Sequence, residues 1–244
     1  MAGRILAIGD VHGCHRALMA LLAMIVPTQE DSLVFVGDVV DRGPATKQVL
    51  DTLVTLHESC QVVLIMGNHE QMMRDALSGR GLYGPWLNAG GRETLASYGG
   101  STNVIPASHI RLLVTAEPFW ETANDIFVHA SLESNVSLRN QTSDFLRWKH
   151  LGGSEKPHCS GKRVICGHTP QKDGIPLILE GWVCIDTYAH GGRWLSGLDV
   201  HANHVWQASE AGETRDFPLS KYSGPNGRGV DSPRLNRNDE AASP

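Results

Sequence analysis

Three strings in the N-terminal third of the chain concentrate side chains able to bind metal ions. They are Gly9-Asp10-Val11-His12-Gly13, Gly37-Asp38-Val39-Val40-Asp41-Arg42-Gly43 and Gly67-Asn68-His69-Glu70. Two later strings, Val128-His129-Ala130 and Cys166-Gly167-His168-Thr169, add further imidazoles. A divalent transition metal in a mixed imidazole and carboxylate shell needs several oxygen and nitrogen donors at fixed angles. Asp10, His12 and Asp38 can supply one ion, while Asn68, His129 and His168 offer neutral donors for a second. A carboxylate can bridge the two. Singly, an Asp or Asn at such a position shapes a turn or caps a helix as readily as it binds a metal. Five strings in order, each at the end of an apolar run, point to a site with two metals.

The elements that must deliver these residues are legible in the same runs. Arg4 to Ile8, Ser32 to Val36, Gln61 to Met66, Asp125 to Val128, Arg163 to Cys166 and Trp182 to Ile185 are rich in β-branched residues and read as strands. Helical spacing between the first three, as in Val49, Leu50, Leu53, Val54 and Leu56, gives a βαβαβ start. The second half is mostly strand and loop, with a hairpin expected at Leu195 to Val200 and His204 to Ala208. These patterns predict an α/β fold in which two mixed β-sheets pack as a sandwich flanked by helices. The motifs then fall on loops beyond strand C-termini, where α/β folds place ligands.

Composition narrows the function classes. The chain has 244 residues, 41% hydrophobic, with a formal charge of -5. It can bury a full core and reads as one domain over residues 1–219. The stretch from about Ser220 to Pro244 has almost no large apolar side chain and reads as a flexible tail. The negative balance lacks the general positive field that nucleic acid requires. The most apolar stretch, Ala17 to Val26, stops at Pro27, too short to span a bilayer. Five scattered cysteines, none in a C-x-x-C pair, fit free thiols in a cytoplasmic protein. A monomer is favoured.

In order and identity, G-D-V-H-G, G-D-V-V-D-R-G, G-N-H-E, V-H-A and G-H-T resemble the calcineurin-like metallophosphoesterase superfamily. The closer resemblance is to its serine/threonine phosphatase branch of the bacterial and lambda-phage type, and it runs from about Ile5 to Leu198. It implies two metals between two β-sheets in a four-layer α/β/β/α arrangement, most often manganese in bacterial members, with iron or zinc also compatible with the ligand set. Asp10, His12 and Asp38 would bind the first ion, and Asp38, Asn68, His129 and His168 the second, with Asp38 as the bridge. Asn68 would also face the phosphate. His69 would be the general acid beside the leaving oxygen, kept protonated by a hydrogen bond to Asp41. Arg42 and Arg147 would bind phosphate.

Chemistry agrees with those roles. Phosphate ester hydrolysis needs a nucleophile made at neutral pH, neutralised phosphoryl oxygens and a protonated leaving group. Two ions roughly 3.5 to 4 Å apart activate a shared water and clamp an in-line displacement. Arginine forks match phosphate oxygens in pairs, and a histidine with a carboxylate partner is the usual acid. Arg147 is the looser match, because Thr142 to His150 reads as an amphipathic helix whose arginine can simply face solvent.

Some positions depart from that pattern or stay open. Relatives commonly read I-D-T-G-A where this chain has Ile185-Asp186-Thr187-Tyr188-Ala189-His190. If that position needs positive φ, Tyr188 is strained; otherwise Tyr188 and His190 reshape the substrate pocket. Asp186 is expected to support the site from behind. The segment Tyr83 to Arg92 has the Gly and Pro content of a loop over the cleft, with Trp86 and Asn88 either touching substrate or packing. His15, His57, His109, His150, His158, His201 and His204 lack the strand-end setting and read as surface, helix-face or hairpin residues. Met66, Met72 and Met73 read as core filler.

The leading expectation is a phosphatase acting on phosphoserine or phosphothreonine in proteins or on small phosphate esters. A first alternative is a symmetrical diadenosine tetraphosphate hydrolase or other nucleotide phosphohydrolase. As the resemblance runs, those hydrolases commonly lack the aspartate of D-R-G and read G-N-H-D, whereas this chain has Asp41 and Glu70. A second alternative, a non-catalytic metal-binding interaction module, predicts a damaged site, and none of these residues is missing.

Overall fold

The runs that read as strands are apolar on both sides, so each strand must be covered on both faces. A computed structural model of the chain, describing residues 3–81 and 83–222, shows how this is done. In chain order the first elements are β1 (Ile5–Ile8), α1 (His15–Ile25), β2 (Ser32–Phe35), α2 (Thr46–Ser59), β3 (Gln61–Leu64) and α3 (Asn68–Leu77). Then come α4 (Tyr83–Trp86), α5 (Arg92–Ser97), α6 (Ala107–Thr115), β4 (Trp120–Glu121), β5 (Asp125–Phe127), α7 (Ser143–Trp148), β6 (Arg163–Cys166), β7 (Leu177–Leu179) and β8 (Trp182–Cys184). The last strands are β9 (Trp194–Asp199), β10 (His204–Ser209) and β11 (Thr214–Pro218).

They form two mixed sheets, one in the order β11-β10-β9-β1-β2-β3 and one in the order β4-β5-β6-β8-β7. The strands β1, β2 and β3 run parallel, as do β5, β6 and β8, and the antiparallel strands lie outside them. Side chains alternate between layers with the two-residue period of a strand. Ala7, Val34, Phe127, Ile165 and Val183 meet between the sheets. Leu6, Ile8, Leu33 and Phe35 point the other way, onto α1 and α2. Ile126, Val164, Trp182 and Cys184 face outward beneath Leu146 of α7. The sandwich with flanking helices is the architecture expected from the sequence.

Helix α1 buries Ala17, Leu18, Leu21, Leu22 and Ile25, one stripe at helical spacing, and ends at Val26 before Pro27. The segment Tyr83 to Arg92, expected as a loop, is instead helical. Pro85 lies in the first turn of α4, where its missing N–H costs no bond. Gly90, at φ 123°, kinks the wide turn Leu87–Gly91 without ending the helical path into α5. At the C-terminal side, Leu219–Tyr222 form a 3-10 turn with Leu219 buried. The rest of the expected tail, from residue 223, lies outside the described residues.

Candidate metal centre

All six parallel strands end on the same side of the sandwich. The loops after β1, β2 and β3 carry Asp10 with His12, Asp38 with Asp41 and Arg42, and Asn68 with His69. Those after β5, β6 and β8 carry His129, His168, and Asp186 with Tyr188. The turns are sharp. His12, Asp38, Asp41, Arg42, His168 and Tyr188 all have left-handed backbone, with φ between 45° and 69°. Each such residue costs roughly 1–2 kcal/mol, so the surroundings must hold it.

Glu70 supplies much of that restraint. Its buried carboxylate accepts from the backbone N–H of Asp38 at 2.7 Å, Val39 at 2.8 Å, Gly67 at 3.0 Å and Val40 at 3.3 Å. One side chain therefore ties the loop of Asp38 to the start of α3. A side chain on Gly67 would collide with Asp38 Oδ1, and one on Gly167 with Asp10 Oδ1. The motif glycines leave room for the carboxylates.

The donor set shows what the site is built to hold. His129 Nδ1 lies 2.9 Å from the Val36 carbonyl and must donate to it, leaving Nε2 as a bare lone pair. His168 donates Nε2–H to the Trp148 carbonyl at 3.1 Å, which frees Nδ1. His12 donates Nδ1–H to the Val40 carbonyl at 2.9 Å, which frees Nε2. His129 Nε2 stands 3.1 Å from His168 Nδ1 and 3.3 Å from Asp38 Oδ1. One amide atom of Asn68 lies 3.0 Å from His129 Nε2 and 3.2 Å from His168 Nδ1, with the Asp38 oxygens at 3.2 and 3.3 Å. Lone pairs converging in this way are what a cation satisfies. The residues present fit a divalent metal ion.

Asp38 is shared. It groups with His129 and His168 on one side and with His12 and His69 on the other, each set offering ligand atoms within 4.8 Å of one another. Its second oxygen is 3.5 Å from His12 Nε2. Against the burial that would raise it, positive charge on His129, His69 and His12, in whose place a bound cation would stand, holds the Asp38 carboxyl well below the ordinary range. Asp10 belongs to neither of those two groups. Its Oδ2 accepts from the His168 N–H at 3.0 Å, while its Oδ1 is buried without a partner. Burial, Asp186 and Asp38 push the Asp10 carboxyl well above its usual value. An orphaned buried carboxylate oxygen next to two other carboxylates is suited to a cation.

His69 and Asp41 form a separate unit. His69 Nδ1 is 2.9 Å from Asp41 Oδ2, and both side chains are fully buried or nearly so. Asp41 also accepts from Thr94 Oγ1 at 2.7 Å and from the Trp86 indole N–H at 3.1 Å. The pair is fixed in orientation, with His69 Nε2 left for the His12 and Asp38 side. Trp86, 1% exposed, is thus a support for Asp41, and Asn88 accepts from Arg92 at the surface.

The two expected phosphate arginines are placed differently. Arg42 is exposed at the mouth, its Nη1 3.0 Å from His190 Nε2. Arg147, on α7, is half-buried, donates to Gln71 on α3 at 3.1 Å and has a buried Nε without a partner. Among the described residues no hydrogen bond joins it to Arg42 or to the ligand cluster. Asp186, its carboxyl raised to about 6 by burial and the nearby Asp38, accepts from the Tyr188 N–H at 3.1 Å behind the site.

Several residues were harder to find in the sequence. Glu70 follows His69 as one more polar residue of a helix start, and only the three-dimensional return of the Asp38 loop reveals its four bonds. His150, expected to be unremarkable, stacks on His168 at 4.3 Å. His109 and His158 are buried, His109 between Tyr98 and Asp51 and His158 between Ser160 and Val136. Met66 and Met73 are buried and Met72 packs partly against the core, as expected.

A pair of mixed sheets that focuses six strand ends on one cluster of Asp, His and Asn lone pairs, beside a His–Asp pair, defines a metal-dependent phosphoesterase class. The chain belongs to the calcineurin-like phosphoesterase family, whose model matches residues 3–181. Among curated relatives it is similar to the asymmetrical bis(5'-nucleosyl)-tetraphosphatase PrpE of Anoxybacillus flavithermus. That similarity is 27% identity over 220 residues, spanning 78% of this chain and 88% of the relative. Among solved structures it resembles that of a provisionally assigned diadenosine tetraphosphatase, with a TM-score of 0.62 and 22% identity over 89% of this chain and 94% of the other. A cold-active protein-tyrosine phosphatase of a Shewanella species shares the fold at a TM-score of 0.59 and 18% identity, over 88% of this chain and 80% of that one.

Proposed function

We propose that this chain is a phosphohydrolase with two divalent metal ions, whose substrates are dinucleoside tetraphosphates. The observation that carries the catalytic part is the convergence of lone pairs on Asp38 from two sides. His12, Asp38 and Asp10 would hold one ion, and Asp38, Asn68, His129 and His168 the other, with manganese first among the candidates. Two such ions supply Lewis-acid polarisation of the phosphoryl group and a water that ionises near neutral pH. Arg42 grips a phosphate oxygen pair at the mouth. His69 gives the proton on Nε2 to the departing oxygen, while Asp41 holds its Nδ1–H and stabilises the imidazolium.

The substrate class rests on the tetraphosphatase relative, which spans most of both chains. This exchanges the order of the two substrate expectations drawn from the sequence. Glu70 no longer argues against a nucleotide, because its carboxylate is wholly occupied with backbone N–H groups and does not face the cleft. A second reading, hydrolysis of phosphoserine or phosphothreonine, is favoured by the intact His69–Asp41 acid, since an alkoxide needs protonation more than a departing nucleotide does. The five free cysteines support a cytoplasmic location, and no described helix is long and apolar enough to cross a membrane.

The test is a comparison of specific activity on diadenosine tetraphosphate, phosphopeptides and p-nitrophenyl phosphate after reloading with manganese, iron or zinc. Chromatography of the nucleotide products separates ATP plus AMP from two ADP. A clear preference for phosphopeptides would overturn the nucleotide assignment, and failure on every ester would overturn the phosphohydrolase reading.

A further inference from the structure

His190 belongs to neither the ligand cluster nor the acid pair, yet its ring is fixed between them and the mouth. Its Nε2 lies 3.0 Å from Arg42 Nη1. A guanidinium only donates, so this nitrogen must carry the lone pair and the ring proton must sit on Nδ1. Nδ1 is buried and has no partner. The ring meets His12 edge-on at 4.6 Å and Tyr188 edge-on at 4.8 Å. Three contacts thus fix one imidazole, and its acceptor atom points at the exposed arginine.

The loop is shaped around that ring. His190 sits on the short 3-10 turn Ala189–Gly191, entered through Tyr188 at φ 64° and ψ 46°. Tyr188 donates its N–H to Asp186 at 3.1 Å, and its carbonyl accepts from Gly191 and Arg193, both at 3.1 Å. The Tyr188 ring lies so close over Gly191 that a Cβ there would collide with it. A bulky residue in left-handed backbone is unfavourable, and here its ring props His190. Among the described residues, His190 is the sole side-chain hydrogen-bond partner of Arg42.

We propose that His190 is a positioning residue that holds the Arg42 guanidinium ready for a substrate phosphate, with the Tyr188 ring as its prop. The inference rests on the reading of Arg42 as a phosphate ligand. A long exposed side chain otherwise loses its rotamer freedom only when the phosphate arrives, and an arginine fixed beforehand avoids that loss. His190 therefore tunes affinity for the phosphoryl group and leaves the chemical step alone.

The test measures binding of inorganic phosphate to the manganese-loaded protein by calorimetry, with metal content checked, alongside kinetics on p-nitrophenyl phosphate. His190→Ala should weaken phosphate about five- to tenfold and raise KM by the same factor, with kcat within about twofold. His190→Gln, whose amide oxygen can accept from the guanidinium, should recover most of the loss. In an Arg42→Ala background, His190→Ala should add nothing. Tyr188→Gly should weaken phosphate in the same direction and serves as the second probe if His190→Ala folds poorly. Unchanged phosphate affinity in both His190→Ala and Tyr188→Gly, an equal loss with and without Arg42, or no phosphate binding by the wild type would overturn the proposal. Phosphate binding that depends on His190 in a protein inactive on dinucleotides would support it while refuting the substrate assignment.

Discussion

Replacing Glu70 by Gln tests how the two metal-bearing loops are held together. The carboxylate accepts four backbone N–H groups, two on each oxygen. Glutamine keeps one oxygen and can satisfy two of them. Its NH2 group then faces the other two, donor against donor, in a site with no water access at 0% exposure. Each buried donor left unsatisfied costs about 1–3 kcal/mol, so the loss should be about 2–4 kcal/mol after partial relaxation. Against a total stability of about 5–15 kcal/mol this is a large fraction. Urea unfolding in the presence of a chelator, followed by the fluorescence of the six tryptophans, reads it without the contribution of bound metal. The midpoint should fall by roughly 1 M. Because Glu70 aligns the loops of Asp38 and Asn68, affinity for the metal should also drop by about tenfold or more. A midpoint shift below about 0.2 M with unchanged metal affinity would refute the reasoning, since four buried bonds cannot be altered at no cost.

Four further outcomes follow from other parts of the structure. His69→Asn should keep both metals and slow esters with basic leaving groups at least about a hundredfold more than esters with acidic ones; equal losses on both would refute the acid role. Asp38→Asn should lower metal content at both positions together, read by elemental analysis, because the carboxylate serves both groups. Trp86→Phe removes the indole N–H that Asp41 accepts at 3.1 Å and should reduce kcat about three- to tenfold with metal content unchanged. Asp31 is held well below the usual carboxylate range, chiefly by its hydrogen bond to Arg4. Its ionised form therefore stabilises the fold above the unfolded value near 3.8, and that contribution is lost as pH falls through the lower folded value. Asp31→Asn should cost about 1–2 kcal/mol at pH 7, with the difference from wild type shrinking below about pH 4 in acid unfolding curves.

The parallel strands were legible because each reads as an apolar run, as in Leu33-Val34-Phe35-Val36, and all but the edge strand β3 are buried on both faces. β4, β7 and β11, all at sheet edges, were not: β4 and β7 span only two and three residues, and β11 alternates exposed Thr214 and Asp216 with partly or fully buried Arg215 and Phe217, so no apolar run announces it. Turn residues misled at Pro85 and Gly90, whose meaning depends on position within a helical turn. Among the site residues, the ligand candidates announce themselves by type. The supports do not: Thr94 and Trp86 reach Asp41 from 45 or more residues away, and Glu70 acts through backbone atoms of another loop. Such roles are set by tertiary proximity. The question at Tyr188 is answered by its φ of 64°, which shows that the backbone keeps the left-handed turn with tyrosine in it.

The left-handed turns also set terms for anyone engineering this chain. Outside glycine, eight described residues have positive φ, and six of them lie at the metal centre or its mouth. Glycine relaxes the backbone at such a position, so a library screened for thermal stability alone will drift toward glycine at the exposed residue 42, a gain of about 1 kcal/mol that deletes the guanidinium. At the buried Asp41 the same change leaves His69, Thr94 and Trp86 without their acceptor, and the loss outweighs the relief. Val26, at φ 46° and 65% exposed, has the same backbone with no chemistry attached. A screen that freezes the first set and frees the second can harvest the one kind of strain without touching the other.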